Sequence, residues 1–111
     1  MRAFITGTDT GVGKTFVVAL LTRALRKAGF DTVALKPLCS GERDDVAILA
    51  EASGDTLTME EINPIWLRAA AAPLVGATLE KRPISLDDLE AWFHGVAATR
   101  QSILVEGAGG W

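Results

Sequence analysis

Between the apolar run Ala3-Phe4-Ile5 and a long apolar-periodic segment the chain reads Gly7-Thr8-Asp9-Thr10-Gly11-Val12-Gly13-Lys14-Thr15. Residues of these types where a strand turns into a helix make a phosphate cradle. Glycines let backbone N–H groups converge on an anion, the helix N-terminus adds partial positive charge, a lysine reaches the terminal phosphates and a threonine hydroxyl can hold magnesium. The strict pattern would begin with glycine where this chain has Thr8, so counted from Gly7 the loop is one residue longer. The chemistry on offer is binding of a nucleoside triphosphate.

Three further places carry groups that could act on such a ligand. Glu106 follows the apolar run Ile103-Leu104-Val105, where a carboxylate can bind the magnesium that bridges nucleotide phosphates, and Gly107, Gly109 and Gly110 permit close backbone approach. It reads otherwise as a solvated acid at a strand end. Asp44 and Asp45 open a short helix, where one can cap the helix and the other can face a metal. Lys36 is a second cation for a reaction that develops several negative charges, or a surface lysine at the end of a strand. Cys39 has no histidine near it in sequence, and His94 sits among apolar residues of a helix, so both read as structural.

The elements that must position these groups follow from periodicity. Residues 2–6 read as a buried strand and 14–28 as a helix, with Val17, Val18, Leu20, Leu21, Ala24, Leu25 and Ala28 at helical spacing and Gly29 as the stop. Thr32-Val33-Ala34-Leu35 is a second strand, and strand-helix-strand in one sheet implies a parallel pair with a right-handed crossover. Pro37 biases Lys36 toward an extended conformation at the C-terminal end of that strand, the end at which open α/β sheets bind ligands. A short helix carrying Val46, Ile48 and Leu49 runs toward Gly54, and residues 55–84 are mixed, broken by Pro64, Pro73 and Pro83. Ser85 caps a helix over about residues 86–99 with Leu86, Leu89, Trp92, Phe93 and Val96 on one face, before the strand Ser102-Ile103-Leu104-Val105.

Composition narrows the function classes. The chain has 111 residues, 49% hydrophobic and 23% charged, as expected of a globular protein of one domain or less. A net charge of −3 argues against a broad nucleic-acid-binding surface, so phosphate binding must be local. One cysteine excludes an intramolecular disulfide framework, and with no signal-peptide pattern the expected compartment is the cytoplasm. The longest apolar stretches fall short of the roughly 20 residues needed to span a bilayer, so no membrane span is expected. A parallel sheet that stops after about three strands leaves exposed edges, which suggests a fragment, or a short protein completed by a partner chain.

Taken together, Gly7 to Thr15, Lys36-Pro37 with Ser40-Gly41, Asn63-Pro64, and Val105-Glu106-Gly107-Ala108-Gly109-Gly110 resemble the dethiobiotin synthetase family in order and spacing. The longer loop matches that family's own variant of the phosphate motif. The resemblance implies an α/β fold of the P-loop NTPase type, three-layer α/β/α with a mostly parallel sheet, of which residues 1–111 form the N-terminal part of a single domain. It implies a cyclo-ligase that uses ATP and Mg2+ to close the ureido ring of dethiobiotin from 7,8-diaminononanoate and CO2, through a carbamate and a carbamic-phosphoric anhydride. A homodimer is implied for the full-length form.

By the same resemblance the backbone of Gly11, Val12, Gly13, Lys14, Thr15 and Phe16 would hold the phosphates. Lys14 and Lys36 would be catalytic, and Thr15, Asp45 and Glu106 would bind magnesium. Glu106, Gly107, Ala108 and Gly109 would lie along the nucleotide, with Thr10 and Ser40 contacting the diamine or its carbamate. The loop from Ser40 to Asp45 is short for the family, so Asp44 remains an alternative to Asp45, although the following Val-Ala-Ile-Leu favours Asp45. The missing C-terminal half would carry the adenine pocket and part of the dimer surface, so this length alone is not expected to be active. Two other readings are an ATP-dependent amide ligase of the cobalamin-synthesis type and a non-catalytic nucleotide-binding domain.

Overall fold

A computed structural model describes residues 2–5, 12–67 and 86–107. Three parallel strands, β1 (Arg2–Ile5), β2 (Thr32–Leu35) and β5 (Ser102–Glu106), form one sheet in the order β1-β5-β2. The sequence suggests that β1 and β2 pair with each other across their helix; they share the sheet and its direction, but β5 lies between them. Its register sets Phe4 beside Val105 and Ile5 beside Glu106 on one side, and Leu35 beside Val105 on the other. Burial explains the order. Ser102, Ile103 and Leu104 are all buried, as a central strand covered on both faces requires, whereas β1 alternates between exposed and half-buried positions.

The connection between β1 and β2 contains α1 (Val12–Lys27), with Arg26 and Lys27 in its last turn, where cations oppose the helix dipole. Gly29 ends it at φ +99°, and the Phe30 amide reaches back to the Leu25 carbonyl at 3.0 Å. The face turned inward differs from the apolar periodicity. Thr15, Val18, Ala19 and Thr22 are buried, while Val17, Leu20 and Leu21 are exposed. A threonine can occupy the buried stripe because its hydroxyl finds a partner within the helix: Thr22 Oγ1 donates to the Val18 carbonyl at 2.7 Å.

Beyond β2 the chain makes β3 (Leu38–Ser40), α2 (Asp44–Ala52), α3 (Met59–Ile62) and β4 (Ile65–Leu67). Strands β3 and β4 pair in parallel as a separate two-stranded sheet that hydrophobic periodicity does not anticipate. Helix α3 has only four residues but carries a capping box: Thr58 Oγ1 accepts from the Glu61 amide at 3.1 Å and the Glu61 carboxylate accepts from the Thr58 amide at 2.9 Å. Helix α2 begins at Asp44 with Arg43 at the N-cap and no side-chain cap, so neither Asp44 nor Asp45 takes the capping role open to them in the sequence. Gly54 then turns the chain at φ +73°, where a Cβ would meet Arg26 Nη2 at 2.8 Å.

The last helix, α4 (Leu86–Ala97), places Leu89, Trp92, Phe93 and Val96 at half-buried positions. His94 is exposed beside Glu90, at 3.5 Å, rather than among the apolar residues. Ser85, expected as the cap, lies outside the described residues. The core joins Val18 of α1, Val33 to Leu35 of β2, Val46 and Leu49 of α2, Ile62 of α3, and Ile103 and Leu104 of β5. Among the described residues no helix is long and apolar enough to cross a membrane.

Candidate active site

The central position of β5 carries Glu106 to the C-terminal edge of the sheet, between the ends of β1 and β2. The acid is fully buried. Thr15, one turn into α1, donates its hydroxyl to Glu106 Oε1 at 2.6 Å. Lys36, the first residue beyond β2, points its ammonium at the other oxygen, Oε2, at 3.2 Å, and is itself only 7% exposed. From the first turn of α2, Asp45 Oδ2 stands 3.9 Å from the same ammonium, with its side chain 29% exposed. Four residues from four separate elements thus meet at the sheet edge where α/β proteins bind ligands.

The electrostatics explain why these groups stay together. A buried carboxylate is costly unless it is paired and hydrogen-bonded, and Glu106 has both a charge partner and a hydroxyl donor. Asp44 is exposed, so of the two adjacent acids it is Asp45 whose carboxylate approaches Lys36. Gly13 is exposed with nothing among the described residues within 4 Å of a Cβ added there, Lys14 is half-buried, and Phe16 is 51% exposed. Val12 opens α1 and Ser40 ends β3 in backbone position. The Gly107 amide is committed to the Ile5 carbonyl at 2.9 Å, so a ligand contact there would use its Cα or carbonyl. Thr10, Gly11, Ala108 and Gly109 lie outside the described residues.

The donor set suits a hard cation. It offers a hydroxyl and two carboxylates, and magnesium is commonly held by one or two protein carboxylates plus phosphate and water. Among the described residues no group of three or more His, Cys, Asp or Glu side chains forms a metal cluster, and no sulfur or imidazole joins these oxygens. Cys39 is buried with its thiol toward the Glu42 carbonyl at 3.3 Å. Burial pushes that thiol above its ordinary pKa, with the Lys36 charge opposing, so it stays protonated and unreactive near neutral pH.

Three residues that periodicity did not single out for a role are linked beside the Lys36 backbone: Asn63, which donates to the Lys36 carbonyl at 2.9 Å, Arg43 and Trp66. Arg43 donates to Asn63 through Nε and Nη2, both at 3.1 Å, and stacks 4.6 Å from the centre of the Trp66 ring. The one signal in the sequence was the Asn63-Pro64 pair.

A family model described as AAA domain matches residues 1–111. The chain belongs to this AAA-domain family. Family membership accords with a parallel α/β sheet carrying a phosphate-loop sequence after its first strand. Similar proteins include an ATP-dependent dethiobiotin synthetase BioD of Akkermansia muciniphila, 42% identical over 100% of this chain and 53% of the relative. Those of Anaeromyxobacter dehalogenans and Methanococcus vannielii are 45% and 36% identical, each over 96% of this chain and 50% and 51% of their own length. The chain therefore spans about half the length of the curated relatives it matches.

Proposed function

We propose that this chain is the phosphate- and metal-binding part of an ATP-dependent dethiobiotin synthetase, with residues 1–111 the N-terminal part of a single P-loop domain. The observation that carries the reading is the shared carboxylate: Glu106 takes the Thr15 hydroxyl on one oxygen and the Lys36 ammonium on the other. A nucleotide fold alone would require the phosphate-loop residues and an acid. A lysine buried at the end of β2 against that acid is an additional cation, which suits transfer of a phosphoryl group to an anionic acceptor.

In the proposed reaction one amine of 7,8-diaminononanoate adds to CO2 to form a carbamate. A carbamate oxygen attacks the γ-phosphorus of ATP and ADP leaves. The second amine then attacks the carbonyl of the carbamic-phosphoric anhydride, expels phosphate and closes the cyclic urea. Bringing a carbamate to a triphosphate opposes two anions, so Lys14 and Lys36 would offset their repulsion and hold them in line. Magnesium, when bound through Thr15, Asp45 and Glu106, would neutralise charge on the phosphates. The backbone of Gly11 to Phe16 would orient the phosphates, Gly107 to Gly109 would border the nucleotide, and Thr10 and Ser40 would contact the carbamate. Adenine recognition and a homodimer would belong to the whole protein; the chain spans about half the length of its relatives.

The test is ADP release by the polypeptide as its gene encodes it, supplied with Mg·ATP, bicarbonate and 7,8-diaminononanoate. Release should require the diamine, and an acid plus glutamine should not replace it; replacement would favour an amide ligase, and ATP binding without either turnover a non-catalytic domain. Lys36→Ala should lower kcat while leaving ATP binding nearly intact. Normal turnover in that variant would overturn its catalytic role.

A further inference from the structure

Lys36 reaches Glu106 from a point where the β-ladder has already ended. The β2–β5 pairing runs from Thr32 opposite Ser102 to Leu35 opposite Val105, and the next residue after Lys36 is a proline with no N–H to offer. Something else must fix the Lys36 peptide, because its ammonium hangs at the end of a long flexible side chain.

That support comes from the turn between α3 and β4. The Lys36 amide donates to the Ile62 carbonyl at 3.0 Å. The Lys36 carbonyl accepts from Asn63 Nδ2 at 2.9 Å, and the same nitrogen also donates to the carbonyls of Pro37 at 3.3 Å and Ile65 at 2.9 Å. Asn63 is 1% exposed. Its amide can take only one orientation: the oxygen accepts from Arg43 Nε, and exchanging oxygen for nitrogen would set a donor against the guanidinium and an acceptor against three carbonyls.

Arg43 is fixed in turn. Its Nη2 donates to the Asn63 carbonyl, its guanidinium stacks on Trp66, and the Trp66 indole N–H donates to the Gly41 carbonyl at 2.7 Å. Arg43 is also the residue before α2, whose first turn carries Asp45. Asn63 therefore joins the segment bearing Lys36 to the segment bearing Asp45. We propose that Asn63, oriented by Arg43, is a positioning residue that holds the Lys36 ammonium between Glu106 and Asp45. Its effect on turnover rests on the ligase reading above; its effect on Lys36 does not.

Lysine acetylation read by peptide mass spectrometry separates the two. In the wild-type chain the buried Lys36 should react more slowly than the exposed Lys27, which serves as internal reference. Loss of a hydrogen bond worth about 1 kcal/mol shifts a local equilibrium about fivefold, so Asn63→Ala should raise the Lys36/Lys27 ratio about five- to thirtyfold. Arg43→Met keeps the stem over Trp66 and should raise it about fivefold, which serves if Asn63→Ala does not fold. Ser53→Ala is the control: Ser53 Oγ accepts from the Ala34 amide at 3.0 Å and donates to the Leu49 carbonyl at 2.8 Å, is equally buried, and bonds neither Lys36 nor Asn63 among the described residues. It should lower stability with no change in the ratio.

Unchanged ratios in the Asn63 and Arg43 variants, or an equal rise in Ser53→Ala, overturn the proposal. In the turnover assay Asn63→Ala should lower kcat about ten- to hundredfold with little change in KM for Mg·ATP. A risen ratio with normal kcat also overturns the positioning role. If the wild-type protein turns over no diamine, the ligase reading fails while the acetylation ratio still decides what Asn63 does.

Discussion

The two ends of the β1-β5-β2 sheet each gather acids and bases, on opposite charge balances. At the N-terminal end Asp31 accepts from Arg26 at 3.3 Å and from Arg100 at 3.5 Å, so two guanidiniums face one carboxylate. At the C-terminal end Asp45 and Glu106 face Lys36, two carboxylates to one ammonium. The first end is partly solvated, with the Asp31 side chain 40% exposed and those of Arg26 and Arg100 28% and 18% exposed, so solvent and salt screen part of its charge. The surplus at the second includes an acid that is fully buried.

Backbone geometry sharpens the contrast. Around Asp31 the chain is tied to itself: its amide donates to the Gln101 side chain at 2.8 Å and its carbonyl accepts from the amides of Gln101 and Ser102 at 3.0 and 3.1 Å. Those bonds register β2 against β5 and need no further partner. At the other end the bonds run between side chains from four elements, which a ligand can rearrange without undoing the sheet. Two carboxylates beside one ammonium, the Glu106 acid fully buried, offer oxygen ligands to an incoming cation, which is the case for magnesium there.

The largest expected effect breaks the buried end. Lys36→Met removes the only ammonium bonded to Glu106 among the described residues and should destabilise the chain by about 3–5 kcal/mol, read from urea unfolding. The double variant Lys36→Met with Glu106→Gln should recover half or more of that loss, because the stranded charge leaves with its partner. If Lys36→Met costs less than about 1 kcal/mol, Glu106 tolerates burial without it and the contrast between the two ends collapses.

How far the sequence anticipated this arrangement depended on the kind of signal. The three sheet strands, α1, α2 and α4 were legible because their apolar runs have the right length and period. The meeting of Thr15, Lys36, Asp45 and Glu106 was legible from the motifs and the resemblance they carry. The inward face of α1 was not, since Leu20 and Leu21 turn out while Thr15 and Thr22 turn in, and hydrophobicity does not record that a helical threonine can satisfy its own hydroxyl. The order β1-β5-β2 was also missed. Nothing local in β1 or β2 says that a strand about seventy residues later will enter between them; only the both-face burial of β5 hints at it. The capping box at Thr58 and Glu61 was present as a Thr-x-x-Glu pattern but opens a helix too short for periodicity to show. Asn63 was visible only as an Asn-Pro pair, because its task consists of contacts with Lys36, Pro37 and Arg43, all distant in sequence.

A smaller effect sharpens the comparison through ligand binding. A ligand that binds only the folded state at about a hundredfold over its dissociation constant adds about 2.7 kcal/mol. Mg·ATP should supply such a gain in the wild-type chain and in Asp31→Asn alike, and EDTA should remove most of it. In Glu106→Gln the gain should shrink sharply, because one of the two carboxylates offered to the metal is lost. Equal shrinkage in Asp31→Asn would show that the two ends are coupled and that the tie is part of the site.

The smallest expected effect lies at the tie itself. Asp31→Asn removes the charge that both guanidiniums share, but the Asn side chain keeps an oxygen that can accept from one of them, and the backbone bonds to Gln101 and Ser102 do not involve the carboxylate. Arg26 also retains its bond to the Thr32 carbonyl at 2.8 Å. Partly solvated ion pairs of this kind contribute about 0–1 kcal/mol, and the expected loss falls in that range and diminishes as salt is raised. One local feature pulls the expected loss upward within that range: among the described residues Arg100 Nε is buried without a hydrogen-bond partner, so Arg100 depends on Asp31 more than Arg26 does. Arg100→Lys should therefore cost no more than Asp31→Asn, because a lysine carries no buried Nε–H to strand. A loss well above about 1 kcal/mol that persists at high salt would mean that the tie is held by a desolvated charge pair, and the difference between the two ends would then be one of degree.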